Sequence, residues 1–170
     1  LAKECEDLAH GRSSGLYVAV ALVHNPITYR AGDIGNVPED IDKNIMLVNT
    51  GAPDCTTRDC VYKVGETFHK THPIWDDFET IFDDILKDGL SVENVQENHA
   101  LLNHIGVVPE PVARFIQNIE DLGGGAKIRG AGSINATHKT AGIVMVVGLN
   151  NLTLKDLCAH YDYSLLSRQH

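Results

Sequence analysis

Asn44-Ile45-Met46-Leu47-Val48-Asn49-Thr50, followed by Gly51, is a short apolar run with polar residues at both ends. Runs of this length bounded by turn formers make buried strands. Beyond it the period changes. From Cys55 to Leu122 the apolar spacing is helical and predicts four helices, over about 55–69, 74–87, 91–104 and 110–122. Pro73, Gly89 and Val107-Val108-Pro109 separate them, because proline removes a helix donor and restricts the residue before it. In the fourth helix Pro111 falls in the first turn, where a missing N–H costs nothing, and Gly123-Gly124-Gly125 ends it.

Alternation returns in Ala126–Arg129, and the apolar run Gly142–Gly148 suits a central strand. Thr153 is expected to cap a last short helix through His160, and Tyr161–Leu166 to form the final strand. From Asn44 the order is therefore strand, helices, strand, strand, helix, strand. This predicts an α+β fold, a ferredoxin-like β-α-β-β-α-β sandwich with extra helices in the first crossover.

Upstream, Leu16–Val23 is continuously apolar and reads as a buried strand, Asn25-Pro26 as a turn, and Ile27–Arg30 as a second strand. Gly32–Lys43 is polar, holds Pro38 and reads as a loop or edge. These pieces lie outside the unit that starts at Asn44, so residues 1–43 are expected to be the tail of one domain and 44–170 a whole one. Leu1–His10 has helical spacing without an initiator Met or a leading cap, as expected of a chain cut from something longer.

With 170 residues, 43% of them apolar, the chain can bury a genuine core. Its net charge of −9 argues against nucleic acid and anionic membranes, which need clustered Lys and Arg. The longest apolar stretches are too short to span a bilayer, and no signal peptide opens the chain, so a cytoplasmic location is expected. Cys5, Cys55, Cys60 and Cys158 form no Cys-x-x-Cys pair and read as free thiols.

Three loops could carry chemistry. His10-Gly11-Arg12-Ser13-Ser14-Gly15 offers backbone N–H groups and two hydroxyls, or is a plain turn. Lys127-Ile128-Arg129-Gly130-Ala131-Gly132-Ser133 could curl around a phosphate or form a simple hairpin turn. It is neither a Walker motif nor a dinucleotide fingerprint. Asn49-Thr50-Gly51 could present a hydroxyl at a strand end, or only turn the chain. The pairs His69/His72 and His99/His104 lack a third ligand, so no metal site is expected and these histidines read as solvated or satisfied. Asp76-Asp77 and Asp83-Asp84 read as solvated helix faces.

Taken in order, these stretches resemble the second half of the mevalonate kinase family, within the GHMP superfamily. The family's His-Gly-x-x-Ser-Gly-x-Asp stands here as His10 to Tyr17. Its threonine-containing turn and the helix after it match Leu47 to Pro53 and Val61 to Val64. Its Asn-x-x-Leu-Leu stretch matches Asn98 to Val107, and its Gly-Ala-Lys-Leu-x-Gly-Ala-Gly matches Gly125 to Gly132. The resemblance implies a two-lobed kinase that moves the γ-phosphoryl of ATP to a small-molecule hydroxyl with Mg²⁺, in isoprenoid precursor synthesis. It implies that Gly130, Ala131, Gly132 and Ser133 serve the nucleotide phosphates, and that His10, Ser13, Ser14, Gly15 and Thr50 line the substrate side.

The chain departs from the family in three places. Tyr17 occupies the position of the aspartate that orients or deprotonates the acceptor, and a neutral phenol is no substitute for a carboxylate. Ser133 to Lys139 replaces a glycine-rich tail. The amino-terminal lobe, with its nucleotide loop, is not in the sequence. The isolated chain is therefore expected to be inactive, to bind no cofactor tightly, and to need that lobe as its partner. The alternatives are a non-catalytic ligand-binding or interaction module, or another GHMP kinase acting on phosphomevalonate or a sugar. An uncovered apolar face around Leu16–Val23 further predicts self-association, as a homodimer, or strand exchange.

Overall fold

The computed structural model describes residues 15–23, 27–30, 32–37 and 45–166, and the chain divides into two compact units, Leu1–Ile41 and Asp42–His170. The described part of the first unit is a helix α1 (Leu16–Val23) and a hairpin of β1 (Ile27–Arg30) and β2 (Asp33–Asn36). The run expected to be a buried strand is thus a helix. An unbroken apolar run has no period to separate the two, and Leu and Ala favour the helix. Gly15, at φ 85°, starts α1 by accepting the Ala19 N–H at 3.0 Å. Ala19 is buried, while Leu16, Val20 and Leu22 are exposed. β1 and β2 pair antiparallel from Ile27 opposite Asn36 to Arg30 opposite Asp33. The polar segment expected to be a loop or edge therefore contains a strand, exposed along its whole length.

In the second unit β3 (Met46–Asn49) is followed by α2 (Thr57–Thr67), α3 (Ile74–Asp88), α4 (Val92–His104) and α5 (Glu110–Asp121). Then come β4 (Gly125–Arg129), β5 (Ile143–Val147), α6 (Asn151–Tyr161) and β6 (Ser164–Leu166). The four strands form one antiparallel sheet in the order β4-β5-β3-β6. β3 and β5 are its interior strands, which is why their runs are apolar. Ile128, Val144, Val48 and Leu165 form one row across the four strands, with Ala126, Val146 and Met46 beside them.

Against this face α5 lays the stripe Val112, Phe115, Ile116 and Ile119, all fully buried, at the spacing of one helix face. Leu154 and Cys158 of α6 complete the core. The caps follow local chemistry. Thr56 with Asp59 and Ser91 with Asn94 form reciprocal capping boxes on α2 and α4. Asn150, not Thr153, caps α6, accepting the Thr153 N–H at 2.9 Å. That helix runs through Tyr161 to a left-handed Asp162, so the last strand starts at Ser164 and not at Tyr161. Among the described residues no helix is long and apolar enough to cross a membrane.

His99 of α4 is neither solvated nor satisfied: it is buried, and its Nδ1 has no hydrogen-bond partner. Burial lowers its pKa from 6.5 to about 4. The unfolded chain therefore takes up a proton in a range where the folded chain refuses it. The stabilisation this gives is complete above about pH 6.5 and is lost as pH falls toward 4. At about 1.4 kcal/mol per pKa unit this amounts to ~3–4 kcal/mol across the window, partly offset by Glu120, whose carboxyl pKa is raised by burial. His99→Leu is expected to flatten stability over that window and to be at least as stable as the parent at pH 5. Urea unfolding at several pH values checks this, and parallel curves for the two proteins would assign the titration to another group.

Candidate functional site

The carboxyl ends of β3 and β4 and the start of β5 meet at one end of the sheet, since Asn49 and Arg129 both lie opposite Ile143. Two loops leave from there, residues 50–56 and 130–142, and they are stitched together. Thr50 is buried. Its hydroxyl donates to the Gly142 carbonyl at 2.8 Å and accepts the Ala141 N–H at 2.9 Å. The backbones also pair, Thr50 N–H to Gly142 O at 2.9 Å and Gly142 N–H to Gly51 O at 3.0 Å.

Asp54 is the second stitch. Its Oδ1 accepts the Ser133 hydroxyl at 2.6 Å and its Oδ2 accepts the Asn135 amide at 3.0 Å. His138 Nδ1 stands 3.5 Å from the same Oδ2, and its Nε2 lies 2.8 Å from the Thr140 hydroxyl, which bonds to the Ala52 carbonyl. The Ser133 hydrogen bond, ahead of those from Asn135 and the nearby His138, holds the Asp54 carboxyl below its ordinary pKa. This acceptor is kept charged by the loop it organises.

The glycine turn divides into two parts. A side chain at Gly130 would meet open space, whereas a Cβ at Gly132 would lie 2.0 Å from the Val107 carbonyl oxygen. The Ser133 N–H donates to that carbonyl at 2.9 Å, the Asn135 N–H to Ser133 Oγ at 3.1 Å, and the Thr137 N–H to Asn135 Oδ1 at 3.2 Å. These three donors are consumed within the protein, the first by Val107 and the other two inside the loop. Among the described residues no hydrogen bond takes up the N–H groups of Gly130, Ala131 or Gly132.

Lys127, in the strand before the turn, is directed elsewhere: its Nζ donates to Asn98 Oδ1 of α4 at 2.8 Å. That bond joins two stretches singled out separately in the sequence. Burial, and then the nearby Arg129 charge, lower the Lys127 pKa.

Thr50 and Gly130–Ser133 are thus brought into one stitched loop pair. Gly15 lies in the first unit. His10, Ser13 and Ser14 lie outside the described residues, as does the Tyr17 side chain, although Tyr17 falls within α1. Asp54, Asn135, His138 and Thr140 were not singled out in the sequence. The only signal was the polar replacement of the glycine-rich tail, which needed Asp54 as its counterpart. Among the described residues no group of three or more His, Cys, Asp or Glu could hold a metal ion.

Several solved structures share this architecture. Methanococcus jannaschii mevalonate kinase matches with a TM-score of 0.74 at 17% identity, over 96% of this chain and 52% of that one. The fold is that of the mevalonate kinases. The L. major mevalonate kinase in complex with R-mevalonate matches at 0.64 and 22% identity, over 89% of this chain and 48% of that one. A Streptococcus pneumoniae phosphomevalonate kinase matches at 0.58 and 16%, over 91% and 48%. The chain spans about half the length of these structures. No protein-family model and no curated protein matches the sequence.

Proposed function

We propose that the chain is the carboxyl-terminal portion of an ATP-dependent mevalonate-type kinase, phosphorylating a small-molecule hydroxyl in isoprenoid precursor synthesis. The observation that carries the reading is the likeness to mevalonate kinases over 96% of the chain. The second unit is the ferredoxin-like lobe, a reading supported by its element order and its antiparallel β4-β5-β3-β6 sheet. Residues 1–43 belong to the other lobe.

ATP fits this chain in part. The N–H groups of Gly130, Ala131 and Gly132 are the ones left for its phosphates, and ATP, when bound, supplies the phosphoryl group. The Ser133 hydroxyl positions the turn through Asp54 and does not reach for the nucleotide. Mg²⁺ finds no cluster of acidic ligands among the described residues, and no residue here is proposed to hold it. Turnover requires an amino-terminal lobe, which supplies the remaining nucleotide contacts.

A second reading, a non-catalytic ligand-binding module, is favoured by Tyr17 at the aspartate position and by the Thr50 hydroxyl, already used twice. One experiment separates them. The chain is fused to the amino-terminal lobe of a mevalonate kinase, and ADP release is followed with ATP, Mg²⁺ and R-mevalonate. Tyr17→Asp is expected to raise the rate of the fusion by about a hundredfold, the scale of a restored general base. No gain favours the module. Phosphate transfer by the chain alone would contradict the requirement for a second lobe.

A further inference from the structure

Two cysteines meet where the first of the stitched loops enters α2. Cys55 precedes the Thr56 cap and Cys60 sits in the first turn, and the capping box between them holds the backbone with bonds of 2.8 and 3.3 Å. The result is a Cys55 Sγ to Cys60 Sγ distance of 3.3 Å. Cys55 is half-buried and reachable, whereas Cys60 is buried in the core. Cys55 Sγ also lies 3.9 Å from the Gly132 carbonyl oxygen, so the pair touches the glycine turn.

We propose that Cys55 and Cys60 form a reversible dithiol–disulfide site that exchanges with low-molecular-weight disulfides. A disulfide bond is ~2.05 Å long, so the sulfurs need to approach by only about 1.3 Å. In the first step the Cys55 thiolate attacks one sulfur of oxidised glutathione. The glutathione S–S bond breaks, a Cys55–glutathione bond forms, and one glutathione thiolate leaves with the electron pair. Cys60 then gives its proton to solvent and attacks the Cys55 sulfur, expelling the second glutathione thiolate and leaving the Cys55–Cys60 bond. Two protein thiols are oxidised, and one glutathione disulfide is reduced to two thiols.

The order of attack follows from access and charge. Burial, with the hydrogen bond to Cys55 and its charge, pushes the Cys60 thiol up to about 12. Cys60 is therefore a poor first nucleophile. Closure draws Cys55 Sγ from its place beside Gly132, so the oxidation state is felt at the turn.

The test uses the full chain, incubated with oxidised glutathione, quenched with N-ethylmaleimide and mapped by peptide mass. The expected product is a Cys55–Cys60 peptide two hydrogens lighter, carrying neither glutathione nor maleimide. Cys60→Ser is expected to accumulate glutathione on Cys55 at least about tenfold more than the parent, because no second thiol displaces it. Should that variant not fold, the parent alone decides. Its Cys55–Cys60 effective concentration against glutathione is expected to be at least about tenfold higher folded than in denaturant. Equal values in the two states, persistent glutathione on Cys55 of the parent, maleimide on both thiols, or a disulfide-linked dimer would each overturn the proposal.

Discussion

Gly132→Ala is expected to cost ~2–6 kcal/mol of stability, while Gly130→Ala, two residues away in the same turn, costs only the backbone strain of about 1–3 kcal/mol. Both glycines have positive φ, 73° at Gly132 and 122° at Gly130, so alanine is strained at either. They differ in surroundings. At Gly132 a methyl group would stand 2.0 Å from the Val107 carbonyl oxygen and 2.6 Å from Ile128 Cδ1. The first contact is backbone, pinned by the Ser133 N–H at 2.9 Å, and cannot swing aside. Overpacking therefore adds ~1–3 kcal/mol to the strain. Urea unfolding measures the difference as a shift in midpoint at constant slope. Equal losses for the two variants would show that the turn is not seated on Val107.

Phe115→Ala is expected to cost ~3–5 kcal/mol, as for other buried aromatic truncations. Phe115 is fully buried, with Tyr161 and Tyr163 packed edge-on at centroid distances of 5.2 and 5.0 Å. The tyrosines cannot simply collapse into the space, because each hydroxyl is held: Tyr161 by the Asn118 amide, and Tyr163 by donation to the Lys139 carbonyl at 2.7 Å. Lys139 belongs to the 130–142 loop, so the same substitution loosens the candidate site. Near-ultraviolet circular dichroism reports the change in tyrosine packing, and urea unfolding the loss of stability. Leu122→Ala, at a side chain 53% exposed, serves as the control and should fall within about 0.5 kcal/mol of the parent. A loss at Phe115 no larger than that at Leu122 would remove this ring from the core.

The elements that carry a period were legible. Val112, Phe115, Ile116 and Ile119 mark one face of α5, and Ala126 with Ile128 mark one face of β4. Leu16–Val23 was not legible, because an unbroken apolar run suits a strand or a helix equally. β2 was only half legible, as loop or edge, for the opposite reason: Asp33–Asn36 is exposed throughout and has no apolar face to betray it. The cap of α6 was misplaced by one turn because Thr153 and Asn150 are both competent residues, and the helix starts at the earlier one.

The candidate site shows the same division. Residue types alone marked Thr50 and Gly130–Ser133 as a possible ligand-facing turn, and the family resemblance marked Tyr17 as a departure from the expected carboxylate. Those properties are local, belonging to a side chain's chemistry or a glycine's freedom. Which groups remain available was settled by packing between distant segments. Ser133 meets Asp54 across 79 residues, and Thr50 meets Ala141 and Gly142 across 91 and 92. A buried hydroxyl must find a partner, and the one it finds comes from whichever strand end the sheet brings alongside. No spacing in the chain records that neighbour. Folding therefore turned two candidate ligand hydroxyls, those of Thr50 and Ser133, into internal fastenings.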